Sequence, residues 1–130
     1  RPWQYVLDVI YGYLILAERL YNKGADYSGG WNFGPSLNNE NNKPVGWLAE
    51  KIIDLWGGGS SLEVDKSNHP IETNLLTLNC EKAKNLLGWQ TRYDIELTLK
   101  NTIEWYRAFV KNQDMNQYTI QQINSYESGL

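Results

Sequence analysis

The stretch Arg-Pro-Trp-Gln-Tyr-Val-Leu-Asp, residues 1–8, leads directly into an amphipathic helix predicted over residues 5–21. It sets a cation, an indole, an amide and a phenol at the beginning of that helix, and this equipment suits a polar, anionic ligand. Apolar residues recur at steps of three and four, so they share one face of the helix. That face consists of Val6, Ile10, Leu14, Ala17 and Tyr21.

Four further helices are predicted along the chain. Pro44 begins a helix with an apolar stripe that continues to residue 56 and ends at three consecutive glycines. Asn79 is a suitable N-cap for a short helix that stops at Gly88, and Asp94 caps a longer one. Residues 117–127 form the last predicted helix, which has a weaker pattern.

Short strands are predicted between these helices. Residues 31–35 form an apolar run between glycines, residues 61–65 alternate apolar and polar side chains, and residues 75–78 are a third candidate. No repeat or interdomain linker interrupts the order. We therefore predict one domain over residues 1–130, of a helix-rich α+β class with about five helices and two or three short strands.

Composition excludes several classes of function. The 130 residues carry a formal net charge of −3 without a basic run, so we expect no nucleic-acid partner. The apolar runs are shorter than the ~20 residues that span a bilayer, and the chain does not start with a signal peptide, so we expect no membrane partner. With a single cysteine, Cys80, no intrachain disulfide can form, and a cytoplasmic location is expected.

The catalytic motifs that a sequence can reveal are absent. There is one histidine, His69, and neither a GxSxG elbow nor a GxxxxGK[ST] loop. The glycines at 57–59 follow a helix, whereas a phosphate-binding loop precedes one, so we interpret them as a helix stop. His69 is either a surface turn residue or a donor to a phosphate or sugar hydroxyl. Cys80 is either a thiol of lowered pKa after a helix cap or, as we favour, a packed and inert one.

Four segments follow one another in an order and at intervals typical of one protein family. Residues 1–9 match the pattern Arg-x-Trp/Phe-x-Tyr/His-Val-x-Asp-Val, and residues 31–34 match (Tyr/Trp)-Asn-(Val/Phe)-Gly. Residues 79–89 match Asp-x-x-Lys-Ala-x-x-x-Leu-Gly-Trp with Asn79 in place of the aspartate, and residues 98–105 lie in a Leu-x-x-Thr-x-x-Trp-Tyr helix. Together they resemble the extended short-chain dehydrogenases/reductases that act on nucleotide sugars.

The resemblance implies a longer enzyme of the Rossmann-type α/β class, of which this chain is the C-terminal, substrate-binding portion. The family's Gly-rich dinucleotide loop and its Tyr-x-x-x-Lys catalytic pair would lie upstream of residue 1, so no catalytic residue is expected here. Arg1 falls where relatives bind the ligand's diphosphate, and Gln4 and Tyr5 adjoin it in the same motif. His69 and Glu72 fall where relatives place a second group that faces the phosphate or ribose, although relatives often have arginine at the position of His69.

Three features indicate a dehydratase within the family: Pro2, the turn that contains His69, and a final helix beyond the usual end. The resemblance then implies conversion of CDP-glucose to CDP-4-keto-6-deoxyglucose by an NAD-dependent lyase that serves surface-polysaccharide biosynthesis and is a homo-oligomer when intact. This chain alone is expected to bind no NAD and to be inactive. The alternatives are an epimerase or dehydratase of UDP-, dTDP- or GDP-sugars, and a free-standing glycan-binding module with exposed tryptophans.

Overall fold

A computed structural model of the chain describes residues 2–35, 42–65, 67 and 77–129. Over these residues the chain forms five α-helices, together with a short 3-10 helix at Gly24–Tyr27 that follows the first of them. The α-helices are α1 (Val6–Lys23), α2 (Val45–Trp56), α3 (Glu81–Leu87), α4 (Ile95–Val110) and α5 (Met115–Glu127). The predicted helix-rich class is therefore confirmed.

The helix ends follow the capping residues that the sequence supplies. Asn79 Oδ1 accepts a hydrogen bond of 3.0 Å from Glu81 N in the first turn of α3. Asp94 Oδ1 accepts one of 2.8 Å from Leu97 N at the start of α4. The carboxylate of Asp114 accepts hydrogen bonds from the amides of residues 116 and 117, which begins α5 two residues earlier than predicted. These side chains satisfy amide groups that have no partner within their own helix.

The two or three predicted strands are not confirmed. Residues 31–35, 61–65 and 77–78 form no strand, and residues 75 and 76 lie outside the described ranges. In the described part of the chain the only bridge of the β type joins Pro2 to Asn42. The apolar run at 31–35 forms no β-strand, and its residue Phe33 packs in the hydrophobic core. The Rossmann context of the resemblance is likewise not confirmed.

The described residues group into two compact units, each taken here by itself. One comprises Pro2–Asn42 and Thr77–Thr98, and the other contains Lys43–Leu76 and Leu99–Leu130. The prediction of one domain over residues 1–130 is not tested by this grouping and stays a prediction.

The core of the first unit lies where α1, α3 and the segment around Phe33 meet. Its buried members are Phe33, Ala83, Leu87 and Trp89, with Tyr11, Ile15, Leu16, Tyr27, Trp31 and Cys80 packed against them. Gly88 ends α3 in the left-handed conformation with φ 68°, and its N–H donates to Lys84 O. The N–H of Trp89 then donates to Ala83 O, so the chain reverses and carries the indole into the core.

The shared apolar face of α1 is not the buried face of this helix. Val6, Ile10, Leu14, Ala17 and Tyr21 are exposed, whereas Asp8 and Gly12 on the opposite side are buried. Tyr11, Ile15 and Leu16 pack beside these two residues. A carboxylate and a glycine add nothing to a hydrophobic stripe, so the periodicity of apolar residues pointed to the other face of the helix.

In the second unit, α5 packs on α4 and α4 contacts the end of α2. Trp105 Nε1 donates to Thr119 Oγ1 at 3.0 Å, and Gln122 Nε2 donates to Asn101 O at 2.9 Å. The guanidinium of Arg107 donates to Leu55 O at 3.3 Å. None of the helices in the described residues is long and apolar enough to cross a membrane.

Candidate functional site at the start of α1

Of the five residues predicted to bind substrate, two are described and both lie at the start of α1. Gln4 and Tyr5 directly precede the first helical residue, and Tyr5 is the N-cap. Arg1, His69 and Glu72 lie outside the described residues. Of the predicted site, the structure therefore describes only the amide of Gln4 and the phenol of Tyr5.

Gln4 is held in place by a hydrogen bond to a residue far along the chain. Its Nε2 donates to Phe33 O at 3.0 Å, which ties the start of α1 to the segment before residue 36. Its Oε1 is buried and accepts no hydrogen bond from the described residues. The amide thus has a fixed orientation and one acceptor that is not satisfied.

Tyr5 is fixed by ring stacking. Its ring lies 5.0 Å from that of Tyr93 with 20° between the planes, and 4% of the residue is exposed. Its carbonyl accepts a hydrogen bond of 3.1 Å from Asp8 N. Offset stacking of two aromatic rings is favourable beyond the area that it buries, so Tyr93 determines where the Tyr5 ring lies.

Asp8 joins α1 to the segment that carries Tyr93. It is fully buried, and its Oδ1 accepts a hydrogen bond of 3.0 Å from Arg92 N. The main-chain oxygen of the same residue accepts a hydrogen bond of 2.8 Å from Trp89 Nε1. The guanidinium of Arg92 in turn lies over the ring of Tyr11, 5.4 Å from its centre. Asp8 therefore positions residues 89–93, and the ring of Tyr93 in this segment stacks on Tyr5.

The sequence around Asp8 contained an indication of its structural role. Residues 6–17 contain only this one charged residue in an otherwise uncharged stretch of helix. A carboxylate in such a setting is either exposed or satisfied by buried donors. The roles of Trp89, Arg92 and Tyr93 had no comparable signal, because they depend on contacts between residues more than 80 positions apart.

Gly12 permits the close contact on which this arrangement depends. A Cβ atom at this position would lie 2.5 Å from Phe33 Cδ1 and 2.9 Å from Trp89 Nε1. The two rings meet in a T-shaped arrangement with their centres 5.0 Å apart. The absent side chain thus leaves the space through which Trp89 reaches the carbonyl of Asp8.

The side chain of Trp31 makes its contacts within the chain. Lys82 Nζ lies 4.1 Å from the centre of its ring, and the same ammonium group donates to Gly30 O at 3.0 Å. Its indole N–H donates to Tyr27 O at 2.9 Å. The side chain of Asn32 donates to Asn79 O at 3.1 Å, which fixes this segment beside α3.

Cys80 has a thiol of raised, not lowered, pKa. Burial raises the pKa of the Cys80 thiol, a hydrogen bond from the Gly34 backbone lowers it, and the nearby Glu81 carboxylate raises it further. Burial is the largest of these effects. The alternative of a thiol activated by the helix cap is therefore wrong, and the packed, inert thiol that we favoured fits this direction.

We expect Cys80 to react more slowly with iodoacetamide in the folded chain than in the chain unfolded by urea. The thiolate is the reactive form, and a raised pKa lowers its fraction at pH 8. The rate should reach half its maximum at a higher pH in the folded chain, which mass spectrometry of the alkylated product measures. The unfolded chain is the control for the folded chain. Equal alkylation rates in the two states would contradict the prediction.

In the described ranges no cluster of metal-ligating side chains forms, and the glycines at 57–59 are not placed to bind a phosphate. No group of three His, Cys, Asp or Glu side chains comes together in the described ranges. The glycines at 57–59, with φ from 71° to 78°, follow the carboxyl end of α2. Carbonyl groups at such an end repel a phosphate, whereas the amides at a helix start attract it. These glycines thus offer no cradle for the pyrophosphate of NAD.

Comparison with known proteins supports the resemblance. The chain is 41% identical over 128 residues to CDP-glucose 4,6-dehydratase of Salmonella typhimurium, a match that covers 98% of this chain and 35% of that protein. The chain thus spans about a third of the length of the curated relative that it matches. No protein-family model matches the chain. The predicted likeness to a nucleotide-sugar dehydratase is confirmed.

Proposed function

We propose that this chain is the C-terminal, substrate-binding part of a nucleotide-sugar 4,6-dehydratase that converts CDP-glucose to CDP-4-keto-6-deoxyglucose. The observation that carries the proposal is the 41% identity to a dehydratase of that name over almost the whole chain. The intact enzyme would be a cytoplasmic lyase and a homo-oligomer, and its product would enter the biosynthesis of the O-antigen of lipopolysaccharide.

Three of the proposed substrate contacts, Arg1, Gln4 and Tyr5, come directly before α1 in the sequence. Arg1 would bind the diphosphate, because a planar guanidinium forms two parallel hydrogen bonds to phosphate oxygens. Gln4 has an acceptor that no described residue satisfies, and the Tyr5 ring is held by Tyr93. His69 and Glu72 would contribute the second group that faces the phosphate or ribose. Fixed side chains favour binding, since less freedom is lost when the ligand arrives.

In this proposal NAD binds to the remainder of the enzyme. The glycines at 57–59 follow the carboxyl end of α2, where a pyrophosphate is not favoured. We propose that the catalytic groups also lie in that remainder and that this chain alone is inactive. Its contribution would be to bind and orient the nucleotide sugar.

The first alternative is an epimerase or dehydratase of the same family that acts on a UDP-, dTDP- or GDP-sugar. Competition separates these substrates: CDP, UDP, dTDP and GDP are titrated against CDP-glucose turnover by the full-length enzyme. The proposal predicts that CDP inhibits at the lowest concentration. Stronger inhibition by GDP, a purine nucleotide, would contradict it most clearly.

The second alternative, a free-standing glycan-binding module, requires several tryptophans on one open face. All six tryptophans lie in the described residues, and each is half-buried or buried. Trp31 is covered by Lys82, and Trp105 stacks on Phe109 with the ring centres 5.9 Å apart. This distribution counts against a glycan platform and favours the dehydratase proposal.

Replacing Arg1 by alanine in the full-length enzyme is expected to weaken CDP-glucose binding about tenfold, because one charge-assisted contact to the diphosphate is lost. Isothermal titration calorimetry measures the effect. Arg107→Ala is the matched control, since Arg107 donates to Leu55 O and has no proposed role in binding. An equal loss of affinity in both variants, or none in Arg1→Ala, would remove Arg1 from the proposed site.

A further inference from the structure

The short segment that leads into α1, residues 2–5, is tied to other parts of its own unit. Pro2 forms a β-bridge with Asn42, and Gln4 Nε2 donates to Phe33 O at 3.0 Å. The three residues directly before α1 belong to no helix or strand, so no regular ladder of backbone hydrogen bonds sets their path. Contacts with other segments therefore decide where this part of the chain lies.

A stack of two tyrosine rings holds the end of the segment. The Tyr5 ring lies 5.0 Å from that of Tyr93, and only 4% of Tyr5 is exposed, so almost its whole surface faces the protein. Tyr93 is half-buried and follows Arg92, whose N–H donates to the buried Asp8 carboxylate at 3.0 Å. Because its neighbour is anchored in this way, Tyr93 is a fixed support for the Tyr5 ring.

We propose that Tyr93 is a positioning residue of the substrate site, which holds the Tyr5 ring and thereby the segment that leads back to Arg1. The inference rests on the proposed function, in which Arg1 binds the diphosphate of the nucleotide sugar. Arg1 comes four positions before Tyr5 in the sequence. At most about 14 Å of backbone separates the two, since each position adds no more than about 3.6 Å. A tether at Tyr5 therefore limits the positions that Arg1 can take.

The stack contributes to binding and not to the chemical step. Under the proposed function the catalytic groups lie in the remainder of the enzyme, so a loosened Arg1 weakens binding and leaves those groups in place. Loss of an interaction that substrate and transition state share raises KM and leaves kcat unchanged. Two stacked rings attract each other beyond the area that they bury, so an aliphatic side chain does not replace one of them. The KM effect should therefore depend on an aromatic ring at residue 93.

Steady-state kinetics of the full-length enzyme with CDP-glucose tests this dependence. Tyr93→Leu is expected to raise KM about three- to tenfold with kcat within about twofold, whereas Tyr93→Phe keeps the ring and should match the wild type. Tyr93→Met, whose flexible side chain also fills the space without a ring, carries the same expectation and replaces Tyr93→Leu if that variant does not fold. Tyr106→Leu, at an exposed ring of α4, is the control and should change neither constant. An unchanged KM at residue 93, or a kcat that falls more than KM rises, would overturn the proposal.

A double-mutant cycle in the full-length enzyme shows whether Tyr93 acts through Arg1. Isothermal titration calorimetry measures the Kd of CDP, which carries the diphosphate and is not turned over, for the wild type, Tyr93→Leu, Arg1→Ala and the double variant. We expect Tyr93→Leu to weaken binding about three- to tenfold in the wild type and less than about twofold in Arg1→Ala, because the contact that it supports is then absent. Equal effects in both backgrounds, in an enzyme that turns over CDP-glucose, would overturn this inference alone. A wild-type enzyme without CDP-glucose turnover would overturn the proposed function on which the inference rests, so the two failures are distinguishable.

Discussion

Replacing Trp89 by alanine is expected to lower the free energy of unfolding by about 3–5 kcal/mol, the largest effect of a single substitution in this chain. Trp89 is 1% exposed and meets Phe33 in a T-shaped contact in the core of its unit. Its indole N–H also donates to Asp8 O at 2.8 Å. The alanine variant loses the buried ring and leaves a cavity, because the surrounding helices cannot close fully around it.

Trp89→Phe separates the hydrogen bond from the packing. Phenylalanine keeps a ring against Phe33 but cannot donate to Asp8 O, so we expect a smaller loss of about 1–2 kcal/mol. Urea unfolding followed by circular dichroism measures both variants. A loss below about 1 kcal/mol in Trp89→Ala would show that this core contributes little to the stability of the chain.

Replacing Gly12 by alanine is expected to destabilise the chain by about 1–3 kcal/mol, although alanine is the better helix former. The new methyl group would lie 2.5 Å from Phe33 Cδ1 and 2.6 Å from Phe33 Cε1. These atoms belong to a buried ring that Trp89 holds from one side, so the ring cannot move without disturbing the core. Overpacking therefore outweighs the gain in helix propensity.

Gly46→Ala is the matched control for this prediction. Gly46 also lies in a helix, α2, but a Cβ atom there would meet no atom within 4 Å. We expect this variant to be more stable by about 0.5–1 kcal/mol, the ordinary difference between the two residues in a helix. Opposite signs for the two substitutions support the close contact at Gly12, and stabilisation in both would contradict it.

The positions of the helices could be predicted from the sequence because their signals are local. Pro44, Asn79 and Asp94 each lie at or just before the start of a helix, and Gly88 lies just after the end of one. Each acts through the backbone groups of its own turn, so its effect does not depend on the rest of the fold. The predicted strands at 31–35 and 61–65 do not form, and strand pairing depends on a partner elsewhere in the chain.

The packing of α1 could not be predicted from the same pattern. Its apolar residues share one face, but Asp8 and Gly12 on the opposite side are the buried residues of the helix. Close approach at Gly12 needs the smallest residue, and the buried carboxylate of Asp8 accepts a hydrogen bond from Arg92 N, a donor 84 positions away.

The candidate site was predicted in part. Gln4 and Tyr5 were recognised from a family motif, and the structure adds Tyr93, which stacks on Tyr5, and Asp8, which accepts a hydrogen bond from the neighbouring Arg92 N. Neither of the two could be assigned from spacing, because the contacts span more than 80 positions. The proposed roles of Arg1, His69 and Glu72 stay predictions.

The central claim is that this chain binds the substrate of a CDP-glucose dehydratase and needs the remainder of the enzyme for turnover. The most direct measurement is the formation of CDP-4-keto-6-deoxyglucose from CDP-glucose with NAD, followed by mass spectrometry for the full-length protein and for this chain in parallel. We predict product from the full-length protein and none from this chain. Product from this chain alone, or none from a folded full-length protein, would contradict the account.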